Sequence, residues 1–220
     1  IVPKNLNIHI VPHGNYLPFI KIEKDKLKSK KKLNLAENKK IILFFGLIKE
    51  VKGLEVLLKS LKMVIEQHKD IRLLIAGKIW KNDFSKYQKI IDEKKLNDYC
   101  ILHTKFIPHS LVKHYYSASE LVVLPYKRIY QSGVLMMTLS YEKPVLVSDL
   151  PPLTEVINDK VNGYVFKSED SKSLSYKLNE IFSEHEKLLN ISNQGFKEVK
   201  EKYDWNSVGY LTTKAYGSIY

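Results

Sequence analysis

From residue 38 onward the chain repeats one rhythm: a short β-branched or apolar run, then a longer stretch whose apolar positions recur at helical spacing. Residues 41–45, 71–76, 100–103, 121–124 and 145–147 form runs of strand length, and 164–166 is a short sixth. Between them, apolar positions 54, 57, 58, 61, 64 and 65 mark one helical face, residues 84–95 suggest another helix, and further helices begin near Ser110 and Ser132. Strands apolar on both faces and linked through helices pair in parallel, with the helices covering both sides. The expected fold class is α/β, a doubly wound parallel sheet, and the short connections fit it.

Two flanks depart from this rhythm. In residues 1–20, Ile8, Ile10 and Val11 precede Pro12-His13-Gly14, which reads as one more strand ending in a turn. The lysine run 21–32 then reads as a flexible surface connection, so that 1–37 forms a lead-in to a core of 38–167. Residues 168–220 read as mostly helical, with Asp204 placed to cap a helix starting at Trp205.

Charge limits the partners. The net charge is +12, yet Arg72 and Arg128 are the only arginines among 36 basic residues. Base edges and phosphate forks favour arginine's planar donors, and no nucleic-acid-binding motif is present, so nucleic acid is not an expected partner. Lysine richness of this kind marks solvated helix faces, with a peripheral contact to an anionic membrane left open. A single cysteine, Cys100, fits a reducing compartment, and the expected location is the cytoplasm, with the inner face of the membrane as a variant of it. No apolar run nears the roughly 20 residues of a membrane span.

In an open parallel sheet the loops at the strands' carboxyl ends hold the ligand. The loop 46–53 has a glycine at each end, carries Lys49 and Lys52 and opens into a helix, a pattern suited to an anion or, more simply, to a tight turn with solvated lysines. After the fourth strand, Gln131-Ser132-Gly133-Val134 forms a helix start whose amides and hydroxyl suit an oxyanion, and Ser132 is an N-cap candidate whatever the ligand. After the fifth, Glu155 reads as a first-turn carboxylate complementing the helix dipole, or as a sugar contact. No Gly-Lys-Ser/Thr phosphate loop, three-glycine dinucleotide fingerprint or Gly-x-Ser-x-Gly elbow occurs. His13, His103, His109 and His114 lack metal-ligand spacing.

Together, Phe45-Gly46-Leu47-Ile48-Lys49-Glu50-Val51-Lys52-Gly53-Leu54, Leu74-Ile75-Ala76-Gly77-Lys78, Leu121-Val122-Val123-Leu124-Pro125-Tyr126, Gln131-Ser132-Gly133-Val134, Lys143-Pro144-Val145 and Leu153-Thr154-Glu155-Val156-Ile157, in this order, resemble the C-terminal nucleotide-sugar-binding domain of the family 4 (group 1) glycosyltransferases. The resemblance implies a Rossmann-like lobe of a GT-B fold. Ile10-Val11-Pro12-His13-Gly14 is similar to the family's interdomain strand, and the Trp205 segment to the final helix that crosses back to the first lobe.

By the same resemblance, Lys49 and Lys52 neutralise the donor's diphosphate as the catalytic pair. Ser132, Gly133 and Val134 offer amides to its phosphates, Gly46 lets them approach, and Gly77, Lys78, Phe106 and Ile107 line the base and ribose pocket, with Gln131 and Glu155 as further substrate-binding candidates. Many members carry two glutamates eight apart where this chain has 131–141; no acidic residue stands between Tyr126 and Tyr141, as in a branch of the family with Gln-Ser-Gly-Val. The implied reaction is transfer of a hexosyl group, with retained configuration and no required metal, from a nucleoside diphosphate sugar to a glycan or lipid-linked acceptor in polysaccharide biosynthesis. The implied partner is an N-terminal acceptor lobe outside these residues. A non-catalytic Rossmann-like nucleotide- or anion-binding module is the alternative expectation.

Overall fold

A computed structural model describes residues 8–217. The strands are β1 (Lys40–Phe45), β2 (Ile71–Ala76), β3 (Cys100–His103), β4 (Leu121–Leu124), β5 (Val145–Ser148) and β6 (Tyr164–Phe166). They form one parallel sheet in the order β3-β2-β1-β4-β5-β6. The expected α/β class and all six strand positions hold, each bound within a residue.

Successive side chains point to opposite faces, and both faces are covered. Ile42, Phe44, Leu73 and Leu121 face a layer built with helices α2 (Leu54–Gln67), α3 (Ser85–Glu93) and α7 (Ser171–Ser183). Ile41, Leu43, Leu74 and Val122 face the layer of α4 (His109–Ala118) and α5 (Gly133–Ser140), with Leu33 and Leu35 after α1 (Lys26–Lys32). The helical spacing in α2 has its expected effect, since Leu54, Leu57, Leu58, Leu61, Val64 and Ile65 are all buried. Each such side chain stabilises the fold by roughly 1.5–3 kcal/mol relative to exposure. A short α6 (Pro151–Thr154), then α8 (Leu188–Lys202) and α9 (Trp205–Gly217), complete the chain, with Asp204 Oδ1 accepting from the amides of Asn206 (2.9 Å) and Ser207 (3.1 Å) as the expected cap of α9.

The N-terminal expectations need correcting. The lysine run is not a loose connection, because residues 26–32 form α1, with Asp25 Oδ1 accepting from Lys28 N (2.8 Å). Lys30 is buried, and its ammonium donates to the carbonyls of Glu37 (2.9 Å) and Lys39 (2.5 Å). Lys26 pairs with Glu120, whose carboxylate also accepts from Ile41 N. Lysine stems thus cover the start of β1 while their charged ends find carbonyls and a carboxylate, which a reading by charge alone misses. No strand forms between residues 8 and 39, and residues 1–7 lie outside the described residues. Ile8 and Ile10 stay 70% and 86% exposed.

This strand order reverses direction between β1 and β4, the point at which open α/β sheets bind ligands. Ile42–Leu121 and Leu43–Val122 are in register, after which the two strands part. The loops after β1 and β4 meet beyond their carboxyl ends.

Candidate functional site

The chain leaves β1 through Gly46, makes a single tight turn at Glu50–Lys52 and enters α2 through Gly53. Gly53 has φ +66°, and a side chain there would run into the carbonyl oxygen of Pro125, the residue after β4. Only glycine meets both demands, so the two loops touch backbone to backbone. Lys127 N donates to Val51 O (2.9 Å) and locks them together. Gly77, after β2 with φ +144°, lies equally tight against the Gly46 carbonyl. Gly46 in turn abuts α5, since a methyl group there would lie 3.4 Å from Val134 Cγ2.

Tyr126 organises the centre. The Lys52 ammonium lies 3.6 Å from the centroid of its ring, and its hydroxyl lies beside Ser132 without reaching hydrogen-bond geometry. The ring is 1% exposed. Lys52 on its face and Ser132 at its phenolic end are therefore brought together, although 80 residues separate them in sequence. Burial, and then the charge of Lys49, pull the Lys52 pKa down to about 8. Neither lysine pairs with a carboxylate among the described residues, whereas nearby Lys127 is bonded to Glu55. Two adjacent ammonium groups without a counter-ion are an unfavourable arrangement that a bound anion relieves, and the cation–π contact offsets only part of the cost.

Ser132 is the N-cap of α5, its Oγ accepting from Leu135 N (3.2 Å). The amides of Gly133 and Val134 then stand at the helix tip as donors without intrahelical partners. Gln131 is exposed at the edge of this tip. Along the same rim, a cleft of about 280 Å³ is lined by Phe45, Gly46, Leu47, Gly77, Lys78, Phe106 and Ile107. The four residues named for a base and ribose pocket thus share one cavity with Gly46. Phe106 is 70% exposed, leaving its ring free to stack on a flat ligand. Lys49, Lys52 and residues 131–134 lie outside this lining and join it through the Gly46–Val134 contact. A larger cleft of about 410 Å³ lies under the N-terminal segment against α4 and α5, and Tyr16 is what connects it to the tip of α5.

Glu155 departs from its expected place. Pro151 and Pro152 start α6, so Glu155 follows the helix's last residue instead of sitting in its first turn, where it would complement the dipole. It is exposed and lines neither cleft. His103 and His114 are occupied by the Tyr115 hydroxyl (2.8 Å) and Ser29 Oγ (3.0 Å). Among the described residues no group of three or more His, Cys, Asp or Glu side chains is placed to hold a metal ion. Phe45 and Tyr126 carry no role in the sequence pattern; the signal for both is an aromatic residue at or just beyond the carboxyl end of a strand beside the reversal point.

The family model described as glycosyl transferases group 1 matches residues 25–198. A GDP-mannose:glycolipid 4-beta-D-mannosyltransferase of Xanthomonas campestris pv. campestris is 28% identical over 180 residues, 80% of this chain and 48% of that protein. The chain spans about half the length of the curated relatives it matches. Among solved structures, HepE of Anabaena in complex with UDP and glucose superposes with a TM-score of 0.82 at 15% identity, covering 94% of this chain and 55% of that one. The C-terminal domain of a glycosyl transferase group 1 family protein from Francisella tularensis superposes with a TM-score of 0.73 at 17% identity, covering 86% of this chain and 98% of that one. These likenesses establish the Rossmann-like sheet as that of GT-B glycosyltransferase domains.

Proposed function

The chain belongs to the group 1 glycosyl transferases, and we propose that it is the donor-binding lobe of a retaining member that moves a hexosyl group from a nucleoside diphosphate sugar. The observation that carries this reading is the convergence of Lys52, Lys49 and the tip of α5 around Tyr126 at the reversal point of the sheet. In it, Lys49 and Lys52 neutralise the diphosphate, Ser132, Gly133 and Val134 hold its oxygens, and Gly46 lets the phosphates approach. Gln131 reaches in from the exposed side of the tip. The base and ribose lie in the cleft of Gly77, Lys78, Phe106 and Ile107. Glu155 serves as a sugar contact only if the acceptor side closes over it. Two features agree with this: the similar HepE was solved with UDP and glucose, and Gly46, which lines the cleft, abuts Val134 at the tip of α5.

The chemical task is to stabilise a departing diphosphate. One charge pair at about 4 Å is worth roughly 4 kcal/mol at an effective dielectric near 20. Two lysines with a helix end thus supply on the order of 8 kcal/mol, the lower limit of what enzymes typically need. The rest has to come from positioning the acceptor. In this reading an N-terminal lobe supplies that site, residues 1–37 form the crossing to it, 38–167 the donor core and 168–220 the helices that return. A glycolipid acceptor, as the name of the Xanthomonas relative states for that protein, places the work at the inner membrane face, with lysines contacting anionic headgroups. No described helix is long and apolar enough to cross a membrane. The run 131–134 assigns the chain to the Gln-Ser-Gly-Val branch of the family.

Calorimetric titration with UDP, GDP and ADP, and with the matching nucleosides, tests the reading. Lys52→Ala should weaken nucleoside diphosphate binding at least tenfold and leave nucleoside binding nearly unchanged. Equal losses for both, or binding of a flavin in place of all three diphosphates, would return the chain to the class of non-catalytic Rossmann-like modules.

A further inference from the structure

His13 and Tyr16 stand over the tip of α5 and have no task in that reading. Their segment is held along its length. Asn15 N donates to Tyr203 O (2.7 Å), Asn15 Nδ2 to Val199 O (3.2 Å), Trp205 Nε1 to Asn15 O (2.8 Å), and Tyr16 N to Ser140 Oγ (3.0 Å). Gly14 is pressed on the indole so closely that a methyl group there would lie 2.7 Å from the Trp205 ring. Held in this way, the rings of His13 and Tyr16 stack, with centroids 5.5 Å apart and 23° between planes. A methyl group on Gly133 would lie 2.9 Å from the Tyr16 hydroxyl and 3.4 Å from His13 Nε2. Two polar atoms are therefore fixed within ligand reach of the helix tip.

The imidazole has a defined orientation. Nδ1 lies 2.7 Å from the Gly14 carbonyl oxygen, which can only accept, so Nδ1 carries a proton. Nε2 is the nitrogen left to meet a ligand. The His13 ring stacks on Tyr16 of its own segment, no ionisable side chain stands in the first turn of α5 (Gly133-Val134-Leu135-Met136), and Lys21, His109 and Lys113 line the cleft beside Tyr16. Lys52 lies beyond Ser132, across Tyr126. That an anion belongs here does not rest on the helix end alone. Among the described residues, Lys49 and Lys52 lack a counter-ion, and the buried Tyr126 hydroxyl beside Ser132 has no hydrogen-bond partner.

We infer that His13 is a further ligand of the donor diphosphate, donating from Nε2 to a non-bridging oxygen of the phosphate at the tip of α5, with the Tyr16 hydroxyl as a second donor beside it. The inference rests on the donor-site reading above. Phosphate oxygens accept hydrogen bonds, and a ring that donates from Nδ1 to the Gly14 carbonyl and from Nε2 to the phosphate carries a proton on each nitrogen, so that its charge adds to that of the lysines. No covalent bond is made or broken in this step.

The test is calorimetry on the full chain at pH 7, using whichever of UDP, GDP and ADP binds best and its nucleoside. His13→Ala should weaken the diphosphate about tenfold or more and spare the nucleoside. His13→Gln, which places an amide donor near the Nε2 position, should regain most of the affinity, and it decides the matter if the alanine variant folds poorly. Unchanged diphosphate affinity in His13→Ala, equal losses for diphosphate and nucleoside, or no recovery of affinity in His13→Gln would overturn the inference. Lys52→Ala is measured beside them. If it loses diphosphate affinity while His13→Ala does not, His13 falls and the donor site stands. If neither substitution changes diphosphate affinity, both fall together.

Discussion

The Lys52 ammonium makes diphosphate binding depend on pH in a direction that can be worked out beforehand. In the free protein its pKa lies near 8, because burial and then Lys49 disfavour the charge. A bound diphosphate reverses both influences by supplying the missing counter-charge, so the pKa rises on binding and the ligand prefers the protonated lysine. Affinity is then full below pH 8 and falls about tenfold per unit above it, roughly 1.4 kcal/mol for each unit. At pH 9 about one molecule in eleven still carries the charge. Neither the phosphate, whose last ionisation near pH 6 is complete, nor the Tyr126 phenol, which burial pushes well above its ordinary value, adds to this fall. Calorimetry of the tightest-binding nucleoside diphosphate from pH 7 to 9.5 reads the curve directly. Lys52→Arg, charged throughout, should flatten it, and Lys49→Ala should move the midpoint upward without abolishing the fall, since burial is the larger cause. A flat wild-type profile, or the same fall in Lys52→Arg, would refute the reasoning.

Three further outcomes follow from the same contacts. A lysine whose folded pKa lies below its unfolded value makes the fold less stable while it is charged; the cost is present in full below about pH 8 and disappears as pH rises towards 10.5. Lys52→Met should thus raise the urea midpoint at pH 7 by the equivalent of about 1–3 kcal/mol while diphosphate binding is lost, and a lower midpoint would contradict the uncompensated charge. Gly77→Ala combines a left-handed φ with collision against the Gly46 carbonyl and should cost roughly 2–4 kcal/mol in urea unfolding, with a cost under 1 kcal/mol showing that the two turns can slide apart. Ser132→Ala removes the cap of α5 and should lower stability by about 1 kcal/mol, and a neutral result would mean that Leu135 N finds water as readily as Oγ.

How much of this was legible in sequence depends on how far apart the partners lie. The strands were legible because each is apolar on both faces, and α2 because its six buried positions repeat at helical spacing. The start of α5 was legible because a small polar cap followed by glycine is a local signal. Helix α1 was not, since seven residues containing five lysines carry no apolar period, and the burial of Lys30 depends on carbonyls that belong to the approach to β1. Glu155 was misread because the helix start was set by the paired prolines and not by the acidic residue. The segment holding His13 and Tyr16 was out of reach for a stronger reason. It is fixed by Ser140, Val199, Tyr203 and Trp205, all more than a hundred residues away, and its own pattern is that of a turn.

The juxtaposition of Lys52 with Ser132 lies between these cases. Neither loop announces the other, yet a parallel sheet that starts in the middle and grows outward in both directions has to place two strands from different halves side by side at the reversal. Here those strands are β1 and β4, so whatever follows Phe45 faces whatever follows Leu124. What the topology leaves open is the last few ångströms. Those are set by Gly53, which lets the loops touch at Pro125, and by Tyr126, whose single ring is wide enough to meet a lysine on its face and a helix cap at its hydroxyl. Replacing Tyr126 with phenylalanine should keep the lysine contact and leave the fold intact, whereas leucine, with no face to offer the ammonium, should weaken diphosphate binding through Lys52 without touching a single phosphate ligand. Equal diphosphate affinity in the phenylalanine and leucine variants would mean that the ring only fills space.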